Sequence, residues 1–109
     1  MDKLNALDAL SALSQESRLD VFRLLVKAGS KGLAAGDIAA HLKVRQNTMS
    51  SHLGILTRAG LIRRERQGRS IRYAADFDGM RGLIRFLMTD CCSGVPEVIQ
   101  PLADEFSTA

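Results

Sequence analysis

Two neighbouring thiols, a cluster of amide and hydroxyl side chains, and a set of arginines are the residues of this sequence with chemistry to offer. Cys91 and Cys92 are its only cysteines. A disulfide between adjacent residues closes a strained small ring, and a reducing compartment disfavours it further, so both are expected as free thiols. Such thiols bind soft ions, respond to oxidants, or stay inert. The second group is Gln46, Asn47, Thr48, Ser50 and Ser51. Crowded at the start of one helix, amides and hydroxyls can read the donor and acceptor pattern that base pairs display in a major groove. Thr48 can instead bond the helix backbone. His52 follows them, either as a phosphate contact or as a packed, hydrogen-bonded residue. Arg66, Arg69 and Arg72 form the third group, suited to gripping phosphate or entering a minor groove.

Charge points the same way. Eight of the fifteen basic residues but only one of the twelve acids, Glu65, lie between Lys43 and Arg72, so that segment is +7 and the remainder −4. A basic segment on an otherwise acidic chain marks a face for a polyanion or, more plainly, a solvated surface. The 109 residues suffice for one domain with one modest core. No apolar run approaches the ~20 residues that cross a bilayer, and Met1–Leu13 does not read as a secretory signal. The expected compartment is the cytoplasm.

The elements that must position these groups are legible as patterns. Leu4, Leu7, Leu10 and Leu13 recur at helical spacing and predict a first helix with a leucine stripe. Ser14 reads as the N-cap of a second helix over about Gln15–Lys27, with Leu19, Phe22, Leu25 and Val26 inward and Gly29 at its end. After a loop around Gly32, a third helix is predicted over Gly36–Leu42, with Ile38, Ala39 and Leu42 inward. A turn at Lys43 and Val44 leads to a fourth over Gln46–Ala59, with Met49, Leu53 and Leu56 buried. Gly60 suits a left-handed cap. The period then changes to two, predicting a hairpin over Leu61–Ala75 that turns at Gln67-Gly68. A last helix is predicted over Asp78–Asp90, ended by Ser-Gly-Val-Pro. Residues 1–92 thus read as one DNA-binding and dimerisation domain, and 93–109 as a tail that is flexible or holds a helical turn.

Two short helices, a tight turn, a polar-faced second helix and a basic hairpin compose a winged helix-turn-helix, mainly α with a small β-hairpin. The leucine stripe and the broad face of Leu83, Ile84 and Leu87 exceed what so small a core can bury. They either complete a monomer or pair two copies.

The run Gln46-Asn47-Thr48-Met49-Ser50-Ser51-His52-Leu53, with Leu56 and Arg58-Ala59-Gly60-Leu61-Ile62, resembles the recognition helix of the ArsR/SmtB family of metal-sensing repressors. Gly68-Arg69-Ser70-Ile71-Arg72-Tyr73 resembles that family's wing, and Leu13-Ser14-Gln15-Glu16-Ser17-Arg18-Leu19 its second helix. The resemblance spans Leu4 to Cys92. Arg45 departs from it, standing where the family often has a capping serine. The resemblance implies a transcriptional repressor, homodimeric through its first and last helices, bound to double-stranded operator DNA and carrying no constitutive cofactor.

It also bears on the thiols. The stretch Ala39–Val44, matching the family's cysteine-bearing third helix, has no cysteine, and the histidines of its zinc site are missing, since His41 and His52 lie elsewhere. Asp90-Cys91-Cys92-Ser93-Gly94-Val95-Pro96-Glu97 is similar to a third variant, with a cysteine pair just after the last helix. Val98 and Ile99 stand where relatives of that type often have a further cysteine. Inorganic As(III) prefers three sulfurs, whereas methylarsenite already has one carbon ligand and needs two thiolates. The expected inducer is therefore As(III) with a borrowed third ligand, methylarsenite or another organoarsenical, or Sb(III), held by Cys91 and Cys92. A thiol that answers to oxidation, or to nothing, is the alternative.

An enzyme is not expected. The sequence has no nucleotide-binding glycine loop, no His-Glu metal motif and no serine with an evident base. A pure protein-interaction module is the remaining class. It would lack the steep salt dependence that phosphate contacts impose.

Overall fold

The computed structural model describes residues 1–91 and 93–107. The first helix, α1 (Lys3–Leu13), is opened by Asp2, whose carboxylate accepts from the Asn5 N–H at 2.8 Å. Two stripes run along it at the same spacing. The alanine stripe, Ala6, Ala9 and Ala12, is buried in the core, whereas Leu4, Leu7 and Leu10 are 72%, 52% and 40% exposed. Small side chains let the helix axis approach its neighbours closely, so the leucines are left facing outward.

Ser14 closes α1 rather than opening the next helix, donating its hydroxyl to the Ser11 carbonyl at 2.8 Å. Gln15 is the cap of α2 (Glu16–Ala28), its side-chain oxygen accepting from the Arg18 N–H at 2.8 Å. Val21, Phe22 and Leu25 enter the core, while Leu19 and Val26, expected inward, lie exposed. The buried stripe is one residue narrower on each side than the apolar pattern suggests.

A single 3₁₀ turn, Gly29–Lys31, follows, then β1 (Leu33–Ala34), α3 (Ala35–Leu42) and α4 (Gln46–Arg58). Lys43 closes α3 in the left-handed region at φ +56, and the Val44 N–H donates to the Ala39 carbonyl at 3.0 Å. Between α4 and β2 (Ile62–Gln67), Gly60 adopts φ +79, the left-handed conformation expected of it.

With β3 (Ser70–Ala75), β2 forms the hairpin, and the sheet has three antiparallel strands in the order β1-β3-β2. Gln67 pairs with Ser70, so Gly68-Arg69 makes the turn, one residue later than predicted, with Gly68 at φ +62. A glycine at the first central position fits a type II′ turn, whose twist matches paired strands.

The helix α5 (Phe77–Arg85) is capped by Asp76. Gly79 in its first turn sits so close to the Gly60 carbonyl that a Cβ there would overlap the oxygen. The helix runs on as a π-helical turn, Phe86–Cys91. Of the two alternatives for the tail, the helical one is found, and extends well beyond one turn: α6 (Pro96–Phe106), where Pro96 opens the helix and so starts structure rather than only stopping it. The largest fully buried side chains are Leu25, Ile38, Met49, Leu53, Leu56, Leu61, Ile62 and Val21. The core thus sits where α2, α3, α4 and the hairpin base meet. Among the described residues, no helix is long and apolar enough to cross a membrane. The architecture is a winged helix-turn-helix.

Candidate nucleic-acid interface

The helix α4 is fixed by its apolar side. Met49, Leu53 and Leu56 are buried, which turns Gln46, Asn47, Thr48, Ser50 and Ser51 outward, and all five are exposed. Arg45 occupies the cap position and provides no side-chain cap. Asn47 supplies a partial substitute, its Oδ1 accepting from the Thr48 N–H at 2.8 Å. The Asn47 amide NH₂ is left as a donor on the outer face. The hydroxyls of Ser50 and Ser51 and the Gln46 amide make no intramolecular hydrogen bond among the described residues.

His52 is placed differently from its neighbours. It is half-buried, and its Nδ1 is closed off from solvent with no hydrogen-bond partner among the described residues. Burial, reinforced by the positive charge of Arg18, holds its pKa below the ordinary histidine value. Arg18 is itself anchored, donating from Nε to the Ala12 carbonyl at 2.8 Å. His52 thus belongs to the inner edge of α4 more than to its exposed polar face.

The hairpin sorts its charges by strand alternation. Paired residues of an antiparallel ladder share a face. The pairs Arg64–Tyr73 and Arg66–Ile71 lie on one side, and Glu65–Arg72 and Gln67–Ser70 on the other. Arg64, Arg66 and Ile71 line one shallow hollow, and Arg64, Arg66 and Arg69 are all exposed. Arg64 is the residue that the motif reading passes over. The period-two alternation that placed Arg66 on this face was the signal that could have found it.

Arg72, read from the sequence as a phosphate contact, projects from the opposite face to Arg66. Its guanidinium donates from Nε to the Lys31 carbonyl and from Nη2 to the Gly32 carbonyl, each at 2.9 Å. Arg63 is likewise occupied, 2.6 Å from Glu65 and bonded to the Ala75 carbonyl at 3.3 Å.

Cys91 ends the π-helical turn as an exposed thiol. It borders a cavity of about 380 Å³ between α1 and the end of the last core helix, lined also by Leu7, Leu10, Phe86, Leu87 and Asp90. Cys92 lies outside the described residues. Among the described residues, no three His, Cys, Asp or Glu side chains gather to hold a metal ion.

Comparison with known proteins agrees with this geometry. The helix-turn-helix domain family matches residues 13–65. The uncharacterised HTH-type transcriptional regulator YbzH of Bacillus subtilis is 32% identical over 99 residues, spanning 80% of this chain and 99% of the relative. The transcriptional repressor SdpR of the same organism is 31% identical over 81 residues, 74% of this chain and 87% of SdpR. Among solved structures, an ArsR-like transcriptional regulator from Rhodococcus sp. RHA1 superposes with a TM-score of 0.74 at 23% identity, over 97% of this chain and 96% of that one.

Proposed function

Since this chain belongs to the HTH-type transcriptional regulators and shares the winged-helix fold of an ArsR-like regulator, we propose that it is a DNA-binding homodimeric repressor of the ArsR type, and not an enzyme, released from its operator by a trivalent arsenical or antimonial bound at Cys91 and Cys92. The observation that carries the DNA-binding half is the division of α4. Its apolar side is fully buried while five amide and hydroxyl residues stand outside, next in the chain to a hairpin with three exposed arginines. That combination offers groove readers and phosphate grips at once. The name of SdpR supports repression as the direction of control. The exposed leucines of α1 support dimerisation, which would present two reading heads to a pseudo-palindromic site.

The effector half rests on thiol chemistry. Cys91 is accessible, and its sequence neighbour is the one other sulfur of its type. A chain with two cysteines suits a methylated or aryl arsenical, which needs two thiolates, better than bare As(III), which prefers three sulfurs. Binding acts only through unequal affinity for DNA-competent and DNA-incompetent dimers. A coupling of about 2–3 kcal/mol corresponds to operator binding ~30- to 150-fold weaker. Cys91's exposure also suits oxidation, which the same experiment separates.

The test is a titration of the DNA upstream of the chain's own gene, alone and with As(III), methylarsenite, Sb(III) or peroxide, on wild type and on the Cys91→Ser/Cys92→Ser protein. Salt-steep binding, released by arsenical in wild type and retained in the serine variant, is the expected result. Release by peroxide alone would favour the oxidation reading. Release that persists without both sulfurs would remove the effector assignment, and absence of salt-steep binding would remove the operator.

A further inference from the structure

The wing carries its exposed arginines from root to tip, Arg64 opposite Tyr73, Arg66 opposite Ile71 and Arg69 in the turn, so their placement depends on how the root of the hairpin is held. That root is held in three ways. First, β1 adds only two pairs to β3, Leu33–Tyr73 and Ala34–Arg72. Second, Gly32, at φ +63, lies so close to the Tyr73 carbonyl that a Cβ there would stand 2.3 Å from the oxygen. Third, the Arg72 guanidinium spans the end of the 3₁₀ turn and takes up the Lys31 and Gly32 carbonyls, each at 2.9 Å. These two carbonyls lie at the turn's C-terminal end, where backbone oxygens lack helical partners and attract positive charge. A two-residue strand is a weak tether, and one planar side chain with two near-parallel N–H groups ties it to the loop before it.

We infer that Arg72 is a positioning residue of the wing: it does not contact DNA but fixes the hairpin against the Gly29–Lys31 turn so that Arg64, Arg66 and Arg69 are held ready for phosphate. This rests on the operator-binding reading above. A wing that is already ordered loses little freedom on binding, whereas one released at its root must be ordered by the DNA. The identity of the side chain matters here. Lysine keeps the charge but has a single ammonium on a flexible stem and lacks the fork that reaches two carbonyls.

That difference makes the inference testable with Arg72→Lys and Arg72→Gln, using Arg69→Gln as the comparison for a tip residue. Operator affinity is measured across a salt series, and amide hydrogen exchange is followed in the free protein. A positioning role predicts that both Arg72 variants bind about three- to tenfold more weakly. Both should keep the wild-type salt slope, because no phosphate contact is removed, and both should exchange faster at the β1 and β3 amides. Arg69→Gln should lower the salt slope by about one and leave exchange at the root unchanged. If Arg72→Lys binds like wild type while Arg72→Gln loses about one unit of slope, Arg72 grips phosphate and the inference fails. Unchanged exchange at β1 in both variants overturns it equally. Failure of wild type to bind with a salt slope would strike the operator reading instead, and the exchange measurement on free protein tells the two failures apart.

Discussion

A histidine in the middle of a helix with so polar an outer face would ordinarily be counted among its surface contacts, yet His52 is half-buried, with the Arg18 charge nearby and no partner for its Nδ1 among the described residues. Burial and that charge both disfavour the imidazolium. Its pKa in the folded protein is therefore below that in the unfolded chain, and the sign of the linkage follows. As pH falls through the ordinary histidine range, the unfolded chain takes up the proton first, so stability present at neutral and alkaline pH is lost on acidification. The thermal midpoint of wild type should fall more between about pH 8 and about pH 5.5 than that of His52→Gln. Arg18→Gln should move the His52 titration, followed by imidazole proton NMR, back toward the usual value. An acid response identical in wild type and His52→Gln would show that other groups set it.

At the scale of elements, the start of α5 packs closely on the turn after α4. A Cβ at Gly79 would lie 1.8 Å from the Gly60 oxygen, backbone that cannot yield as a side chain can. Gly82, three residues on, would meet only the Met1 side chain at 3.8 Å. The same change should thus have opposite signs within one helix. Gly79→Ala should destabilise by about 1–3 kcal/mol through overpacking. Gly82→Ala should stabilise by up to about 1 kcal/mol through helix propensity. Thermal or urea melts of the two variants check this, and a neutral Gly79→Ala would show that the Gly60 carbonyl does not limit the approach of α5.

Glycines of this kind were visible in the sequence only as punctuation. Gly60 is legible as a cap because a helix pattern ends at it, but nothing local betrays that Gly79 packs against Gly60. The same limit explains the other departures. A two-residue strand such as β1 has no alternation to detect. The leucine stripe of α1 and its alanine stripe share one period, and periodicity does not say which faces in. Arg72 sits beside Arg69 in a basic run, and only the ladder register reveals that it projects from the other face. By contrast, α3 and α4 are legible because each buries one defined side, and the hairpin because the period changes there and a glycine marks its turn, although only its base is buried.

For the whole molecule, the leftover apolar surface is the feature that remains to be explained. Leu4, Leu7 and Leu10 do not serve the core of one copy, and Ile84 on α5 is 48% exposed as well. Exposed apolar surface of this sort is costly in water and is covered when two copies pair. Its removal should therefore affect assembly and leave folding of the single chain largely intact, since the buried alanines of α1 carry the intrachain contact. The Leu4→Glu/Leu7→Glu protein is expected to sediment as a monomer with helical circular dichroism close to wild type. Linking two heads on one duplex raises avidity by roughly 10²–10⁴, so the variant should bind the operator at least about 100-fold more weakly. Its salt slope should be about half that of wild type, because half of the phosphate contacts remain. A half-site duplex supplies the control: on it, wild type and variant should differ little. A variant that stays dimeric would place the interface on another face, and a wild type that sediments as a monomer would leave the leucines without this role.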